Sequence, residues 1–242
     1  MKKVLLLLAV VFSMVINANA QPDKDYEDLL KLFVDEKYDK VILKAVKYTE
    51  GETTKKDALP YLFCSMSYFE ISKDDKMKEK FPDAFKMSLK YIKSYAKYDK
   101  EKVYAAEYED FFGELRTAII NEGELMIDTE KYSKAKGMYA YLIAMDDKDA
   151  GAQIYMGIVL SAMKTKKEAE AALQTAQTLL TEKTCTTNTK EQKNLLKNAL
   201  ITYATLLSDQ GSKSLAKDWL ELGNEFFKDD KEYQITLESV SE

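Results

Sequence analysis

The sequence predicts an all-α protein made of helix pairs that stack into an α-solenoid. Its 242 residues include only three prolines and eight glycines, which favours long helices over frequent turns. A set of small and bulky residues also recurs 34 residues further along the chain. Gly123, Tyr132, Ala135 and Tyr139 are followed by Gly157, Lys166, Ala169 and Leu173. This is the length of one helix–turn–helix unit, which buries its apolar face only by stacking on neighbours.

The first twenty residues have the pattern of a cleaved export signal. Two lysines precede residues 4–16, which are apolar apart from one serine, and Ala18 and Ala20 place small side chains just before Gln21. The apolar stretch is shorter than the roughly 20 residues that a membrane-spanning helix needs. We therefore expect a cleaved signal peptide over residues 1–20; the alternative is an uncleaved membrane anchor.

The rest of the chain, residues 21–242, is expected to form one solenoid domain without a transmembrane segment, in the periplasm or secreted. The net charge is −5 for the whole chain and −7 once the two signal lysines are removed. Acidic residues alternate with the lysines, and Arg116 is the only arginine, so no basic stripe is available to bind nucleic acid. The lysine-rich, arginine-poor composition is similar to that of Bacteroidota proteins.

Several classes of catalytic and metal site are excluded by residue type. The chain has no histidine, which removes Ser-His-Asp and Cys-His catalysis, and it contains neither a phosphate-binding glycine loop nor a Rossmann motif. Two cysteines without histidine do not make a zinc site, and Cys64 and Cys185 are too far apart in the repeat for a disulfide. The acids over 107–114 fit a solvated helix face. We expect no enzyme, no cofactor and no metal.

The helix pairs can be placed in order along the chain. The first contains Leu29, Val41 and Ala45. The second covers residues 57–100, and its second helix comes about seven residues later than a regular repeat predicts. A long helix over 102–129 starts the third pair. The fourth starts near residue 150, and a polar loop over 182–191 precedes the last pair, which contains Ala204, Ala216 and Leu220.

The register of these units points to one family. With Gly123 and Gly157 at position 8 of a 34-residue unit, Ala135 and Ala169 fall at position 20 and a bulky residue falls at position 24. This pattern resembles tetratricopeptide-repeat proteins over residues 26–227. The resemblance implies a right-handed superhelix of about five antiparallel helix pairs. No unit has the favoured tryptophan at position 4 or proline at position 32, which leaves the repeat count open; the alternative is a generic helical bundle.

The resemblance also implies a binding site. In this family the first helix of each pair lines a concave groove that holds a partner segment. The corresponding positions here are mostly apolar with acids beside them: Leu62, Met66, Phe69, Ile120, Glu124, Ile127, Ile154, Ile158, Ile201 and Thr205. The polar clamp with which some members hold a carboxylate is missing, which disfavours a co-chaperone of the cytosolic heat-shock type. The alternative is that the long helix or the tail over 228–242 covers the groove.

These observations lead to a functional expectation. We expect an exported scaffold or adaptor of the bacterial cell envelope that binds a protein or peptide segment in the groove. The alternatives are a carbohydrate- or peptide-binding uptake protein, and a subunit of an outer-membrane secretion or assembly complex.

The export signal gives the first testable prediction. Protein purified from its native host should begin at Gln21, because a signal peptidase cleaves after the small residues Ala18 and Ala20. Intact-mass analysis measures this directly. A mass that includes residues 1–20 would show instead that the apolar segment is retained.

Overall fold

The described part of the chain is all-α. A computed structural model describes residues 26–240, which contain no β-strand; the predicted signal peptide lies outside this range. The helices are α1 Glu27–Val34, α2 Tyr38–Glu50, α3 Ala58–Lys73, α4 Asp75–Lys80, α5 Ala84–Tyr98, α6 Glu109–Asp128, α7 Tyr132–Met145, α8 Ala150–Ala162, α9 Lys166–Thr181, α10 Lys190–Asp209, α11 Lys213–Phe227 and α12 Lys231–Ser239. The predicted fold class is thereby confirmed at the level of an all-helical protein.

Helices that follow one another pack against each other. Contacts join α1 to α2, α3 to α5, α6 to α7, α8 to α9 and α10 to α11. Contacts between successive pairs join α2 to α3, α5 to α7, α7 to α8, α8 to α10 and α9 to α11. The short helix α12 packs on α10 and α11, where the Tyr233 ring is fully buried and its hydroxyl donates to the Leu220 carbonyl at 2.6 Å.

Two boundaries differ from the sequence prediction. The long helix expected over 102–129 begins only at Glu109, because the Asp99 carboxylate accepts the backbone N–H groups of Val103 and Tyr104 and holds the preceding residues in turns. The late second helix of the second pair has a simple cause. Helix α4, capped by Asp74, is inserted between α3 and α5.

One backbone turn recurs in four of the pairs. A residue in the left-handed region ends the first helix, its N–H donates to the carbonyl three residues earlier, and the next N–H donates to the carbonyl five residues earlier. The four residues and their φ angles are Glu36 at 56°, Glu130 at 56°, Lys164 at 61° and Gly211 at 79°. Lys183, with a φ of 56°, ends α9 in the same way. Backbone hydrogen bonds therefore fix these turns whatever the side chain.

The close contact predicted from the 34-residue register is present in both units. A β-carbon added to Gly123 would lie 3.1 Å from the Tyr139 ring, and one added to Gly157 would lie 2.5 Å from Leu173 Cγ. In each unit, therefore, the glycine of the first helix packs on the bulky residue 16 positions later. Ala135 and Ala169 are buried in the second helices. Small residues thus set the separation of α6 from α7 and of α8 from α9.

The core runs along the stacked helices and includes most of the aromatic residues. Trp219 is buried and packs edge-on against Tyr203, with ring centroids 5.1 Å apart. Cys64 and Cys185 are both free. Burial raises the pKa of the Cys64 thiol to about 12, so it behaves as a small core hydrophobe. Within residues 26–240, no helix has the length and apolar character needed to cross a bilayer.

The packing of α9 gives a second prediction. Ala169→Leu should lower the free energy of unfolding by about 1–3 kcal/mol, because this side chain is 3% exposed and the larger one overpacks the contact with α8. Ala171→Leu is the matched control, since Ala171 is exposed on the same helix. Urea unfolding of the two variants measures the difference. Equal midpoints would contradict the assigned register.

Candidate functional site

The structure divides the ten predicted groove residues into two groups. Leu62, Met66, Phe69, Ile154 and Ile158 are buried in the main hydrophobic core. Ile120, Glu124, Ile127 and Ile201 are half-buried, and Thr205 is exposed. The first group therefore contributes mainly to helix packing, although Phe69 also lines an open hollow beside α6, and the second group is accessible to a partner. The binding role of the accessible five stays a prediction.

The burial of Ile154 and Ile158 has a specific cause. Helix α8 lies directly against the backbone of α10, because a β-carbon on Gly151 would be only 2.8 Å from the Leu196 nitrogen. Two helices that approach this closely leave no space for a peptide between them. The glycine at the start of the fourth pair is visible in the sequence, but the sequence does not show which helix packs against it.

The accessible residues lie where the first helices of three pairs meet. The Glu124 side chain on α6 hydrogen-bonds to Asn198 on α10 and to Tyr155 on α8, and Tyr155 interacts with Thr202. Tyr155 also stacks on Tyr139 with ring centroids 4.9 Å apart. The structure therefore brings Glu124 to the same surface as Ile201 and Thr205 of α10.

A separate set of residues on α3, on α6 and around the start of α10 lines an open hollow. Its volume is about 770 Å³. Charged side chains at its edge include Glu109, Asp110, Glu114, Glu191 and Lys190. Lys73 pairs with Glu114 at 2.9 Å, and the other three acids still outnumber Lys190, so the hollow is electronegative. We call the hollow and the surface around Glu124 the acidic groove.

Burial raises the pKa of Glu124 above its ordinary value of 4.5. The hydrogen bond from Asn198 opposes this shift, and the negative charge of Asp128 adds to it. The neighbouring Tyr139 hydroxyl is fully enclosed and has no hydrogen-bond partner. This part of the groove therefore favours the neutral form of the carboxyl more than a solvent-exposed site would.

A second cavity lies where three connections between helix pairs converge. It is formed by residues 99–106 after α5, residues 144–147 around the end of α7, and residues 186–189 before α10, and it has a volume of about 680 Å³. We call it the connection cavity. Its wall contains the buried polar side chains of Asp99, Arg116, Asp146 and Gln192.

Hydrogen bonds hold the walls of the connection cavity together. The Gln192 amide donates to Asp146 Oδ2 at 2.9 Å, and the Lys102 ammonium group lies 3.3 Å from Asp146 Oδ1. The Thr186 N–H donates to the Lys148 carbonyl at 2.9 Å. Each connection is thereby tied to the turn between α7 and α8, which makes the cavity a preformed feature of the fold.

A buried ion pair closes one side of this cavity. The Arg116 guanidinium donates to Asp149, whose other oxygen accepts the Ala152 N–H and caps α8. Arg116 is 6% exposed and Asp149 is 1% exposed. Removing one partner of such a pair generally costs about 3–5 kcal/mol, because the remaining charge is left buried without compensation. Sequence reasoning missed this site, although the chain's only arginine was the signal that pointed to it.

Neither the groove nor the cavity has the features of a metal site, since no group of three or more metal-ligating side chains was found within residues 26–240. No protein-family model matches the sequence, and no curated protein matches it. Only the residues of the two sites therefore indicate what these sites bind.

Glu124 gives a pH-dependent prediction. A carboxyl group whose pKa is raised by folding favours the folded state when it is protonated. This contribution is complete below the unfolded-state pKa and is lost as the pH rises through the folded-state pKa. Glu124→Gln should therefore be more stable than the wild type at pH 7, and the difference should shrink towards pH 4. Urea unfolding at both pH values measures this. Glu79→Gln on the exposed face of α4 is the control, and an identical pH response in both variants would contradict the assignment.

Proposed function

We propose that this protein is an exported binding scaffold built as a tetratricopeptide-like, right-handed solenoid of about five antiparallel helix pairs. It works in the bacterial cell envelope, in the periplasm or secreted, and holds a protein or peptide segment without catalysing a reaction. The acidic groove is the binding surface. The observation that carries this proposal is that first helices of three successive pairs meet at Glu124, Tyr155 and Asn198.

The repeat part of the proposal is supported by geometry that several pairs share. Four of the within-pair turns have the same hydrogen bonds around a left-handed residue. Two successive units pack a glycine of the first helix on the bulky residue 16 positions later. Units with the same turn and the same internal contact, placed in series, stack as a solenoid.

The chemistry of the groove favours one kind of partner. Half-buried Ile120, Ile127 and Ile201 supply an apolar surface, and the acids at its edge supply negative charge. A segment with apolar side chains on one side and lysine or arginine beside them complements both properties. We therefore propose a basic, amphipathic segment of another envelope protein as the occupant.

A second candidate function is supported by the connection cavity. Its volume of about 680 Å³ falls in the range of sites for small ligands. A cavity of this kind fits a peptide- or carbohydrate-binding uptake protein, whereas a subunit of an outer-membrane secretion or assembly complex would use the groove alone.

Matched threonine variants test the scaffold function. Thr205 and Thr117 lie on the acidic groove, Thr175 lies on α9, and all three are exposed and donate their hydroxyl to the carbonyl four residues earlier. Thr205→Lys and Thr117→Lys should reduce capture of a partner by about tenfold, because a cation in the groove repels a basic segment. Thr175→Lys should have no effect.

The measurement is affinity purification from envelope extracts, followed by quantitative mass spectrometry that compares the captured proteins across the three variants. A defined protein depleted by both groove variants and retained by Thr175→Lys supports the proposal. A partner retained by all three would place binding elsewhere. Circular dichroism checks that each variant is folded, and a glycan array tests the carbohydrate alternative.

A further inference from the structure

We propose that the connection cavity is a binding site for a zwitterionic amino-acid ligand, either a free amino acid or a short peptide with free ends. The Arg116 guanidinium would hold the ligand carboxylate, and acids at the rim would face its ammonium group. This inference does not rest on the scaffold function, because the cavity lies at the connections between helix pairs. It shares Glu109, Gly113 and Thr189 with the hollow of the acidic groove but does not include the surface around Glu124.

The first step of the argument is that the buried carboxylates of the wall are already occupied. Asp99 accepts from the Tyr95 hydroxyl and from two backbone N–H groups. Asp146 accepts from Gln192, from Lys102 and from the Lys148 N–H at 3.2 Å. Asp149 accepts from Arg116 and the Ala152 N–H. These groups stabilise the walls and have little capacity left for a ligand.

The second step is that Arg116 has unused donors. A guanidinium carries five N–H donors in a planar fork, and here one nitrogen, Nη1, is bonded to Asp149. Within residues 26–240, the fully enclosed polar side-chain atoms without a partner are Ser67 Oγ and the Tyr139 hydroxyl. The remaining Arg116 nitrogens are therefore not sealed in the core. Arg116 is a lining residue of the cavity, and in the proposed complex these nitrogens face the ligand.

The third step concerns which acceptor fits. A planar carboxylate matches the free edge of a guanidinium, and Lys102, whose side chain is 55% exposed above Asp146, provides a second cation nearby. Phe112 and Met145 supply apolar surface for the rest of the ligand. Arg116 in the wall and Lys102 at the rim thus supply donors for a carboxylate.

The fourth step is the charge balance. The exposed charged side chains at the rim are two acids and two lysines: Glu109, Asp147, Lys100 and Lys102. The buried charged side chains of the wall are Asp99, Asp146 and Arg116. This lining carries a net charge of about −1, so a simple anion would add negative charge to a site that already has an excess. A zwitterion adds no net charge, and its ammonium group can face Glu109 or Asp147. Among carboxylate ligands the site therefore favours those that also carry an amine.

The test is isothermal titration calorimetry of the chain from residue 21 onwards with trialanine, alanine, trialanine amide and N-acetyl-trialanine. Saturable binding of trialanine or alanine is expected. Which of the two binds more tightly distinguishes a peptide from an amino-acid source. The amide should bind about tenfold more weakly or worse, because it cannot form charge-assisted bonds with Arg116. Acetylation should also weaken binding.

Two glycine variants locate the site. A β-carbon at Gly113 or at Gly137 would meet no atom within 4 Å, so either glycine accepts a side chain without a clash. Gly113 lines both the connection cavity and the adjoining hollow of the acidic groove, Gly137 on α7 lines neither, and Arg116 lines the connection cavity alone. Gly113→Leu should abolish trialanine binding while Gly137→Leu leaves it unchanged. Arg116→Lys, which keeps the charge beside Asp149 but not the planar fork, should weaken binding about tenfold.

Three results would overturn the inference: no saturable binding of trialanine or alanine, equal affinity for acid and amide, or unchanged binding by Gly113→Leu. Binding of maltose in place of the zwitterions would also overturn it in favour of a neutral ligand. Thr205→Lys should bind trialanine like the wild type, which separates a failure of this site from a failure of the groove.

Discussion

The buried ion pair between Arg116 and Asp149 is the interaction on which both candidate sites depend. It fixes the first half of α6 against the start of α8, and Asp149 also caps α8. Three residues earlier, Asp146 receives the Gln192 side chain of α10. Two acids of one short turn thus set the positions of three helices. The acidic groove lies along one side of these helices, and the connection cavity lies beside the turn itself.

The Arg116–Asp149 pair opposes sliding of α6 past α8, because separating the two groups would leave a buried charge uncompensated. Apolar side chains tolerate sliding and repacking, whereas a buried guanidinium must stay within hydrogen-bonding distance of its carboxylate. Gly151 acts with this constraint, because it lets α8 touch the α10 backbone. The result is a tightly closed stack at α8 and a more open surface on α6. The edge of the helical stack is therefore more accessible than its centre.

Much of the fold could be predicted from the sequence because local rules determine it. The spacing of Gly123 and Gly157 predicted close contacts that are present, and few prolines and glycines predicted helices. The sites could be predicted only in part. Ile154 and Ile158 have the same pattern as accessible groove residues, and their burial depends on how closely α10 approaches, which is a long-range property. The connection cavity requires residues 99, 116, 146 and 192 to meet, and no periodic pattern marks that meeting.

The recurring turn between the helices of a pair has a consequence for how such a chain can diverge. Its shape is held by backbone hydrogen bonds, and the left-handed position is occupied by glutamate or lysine in most of these turns and by glycine in one. A left-handed non-glycine residue costs roughly 1–2 kcal/mol, an amount that the surrounding packing offsets. Side chains at these turns are therefore free to change while the path of the chain is retained. Helix pairs joined by this turn can lose almost all residue identity with one another and still keep the same turn geometry.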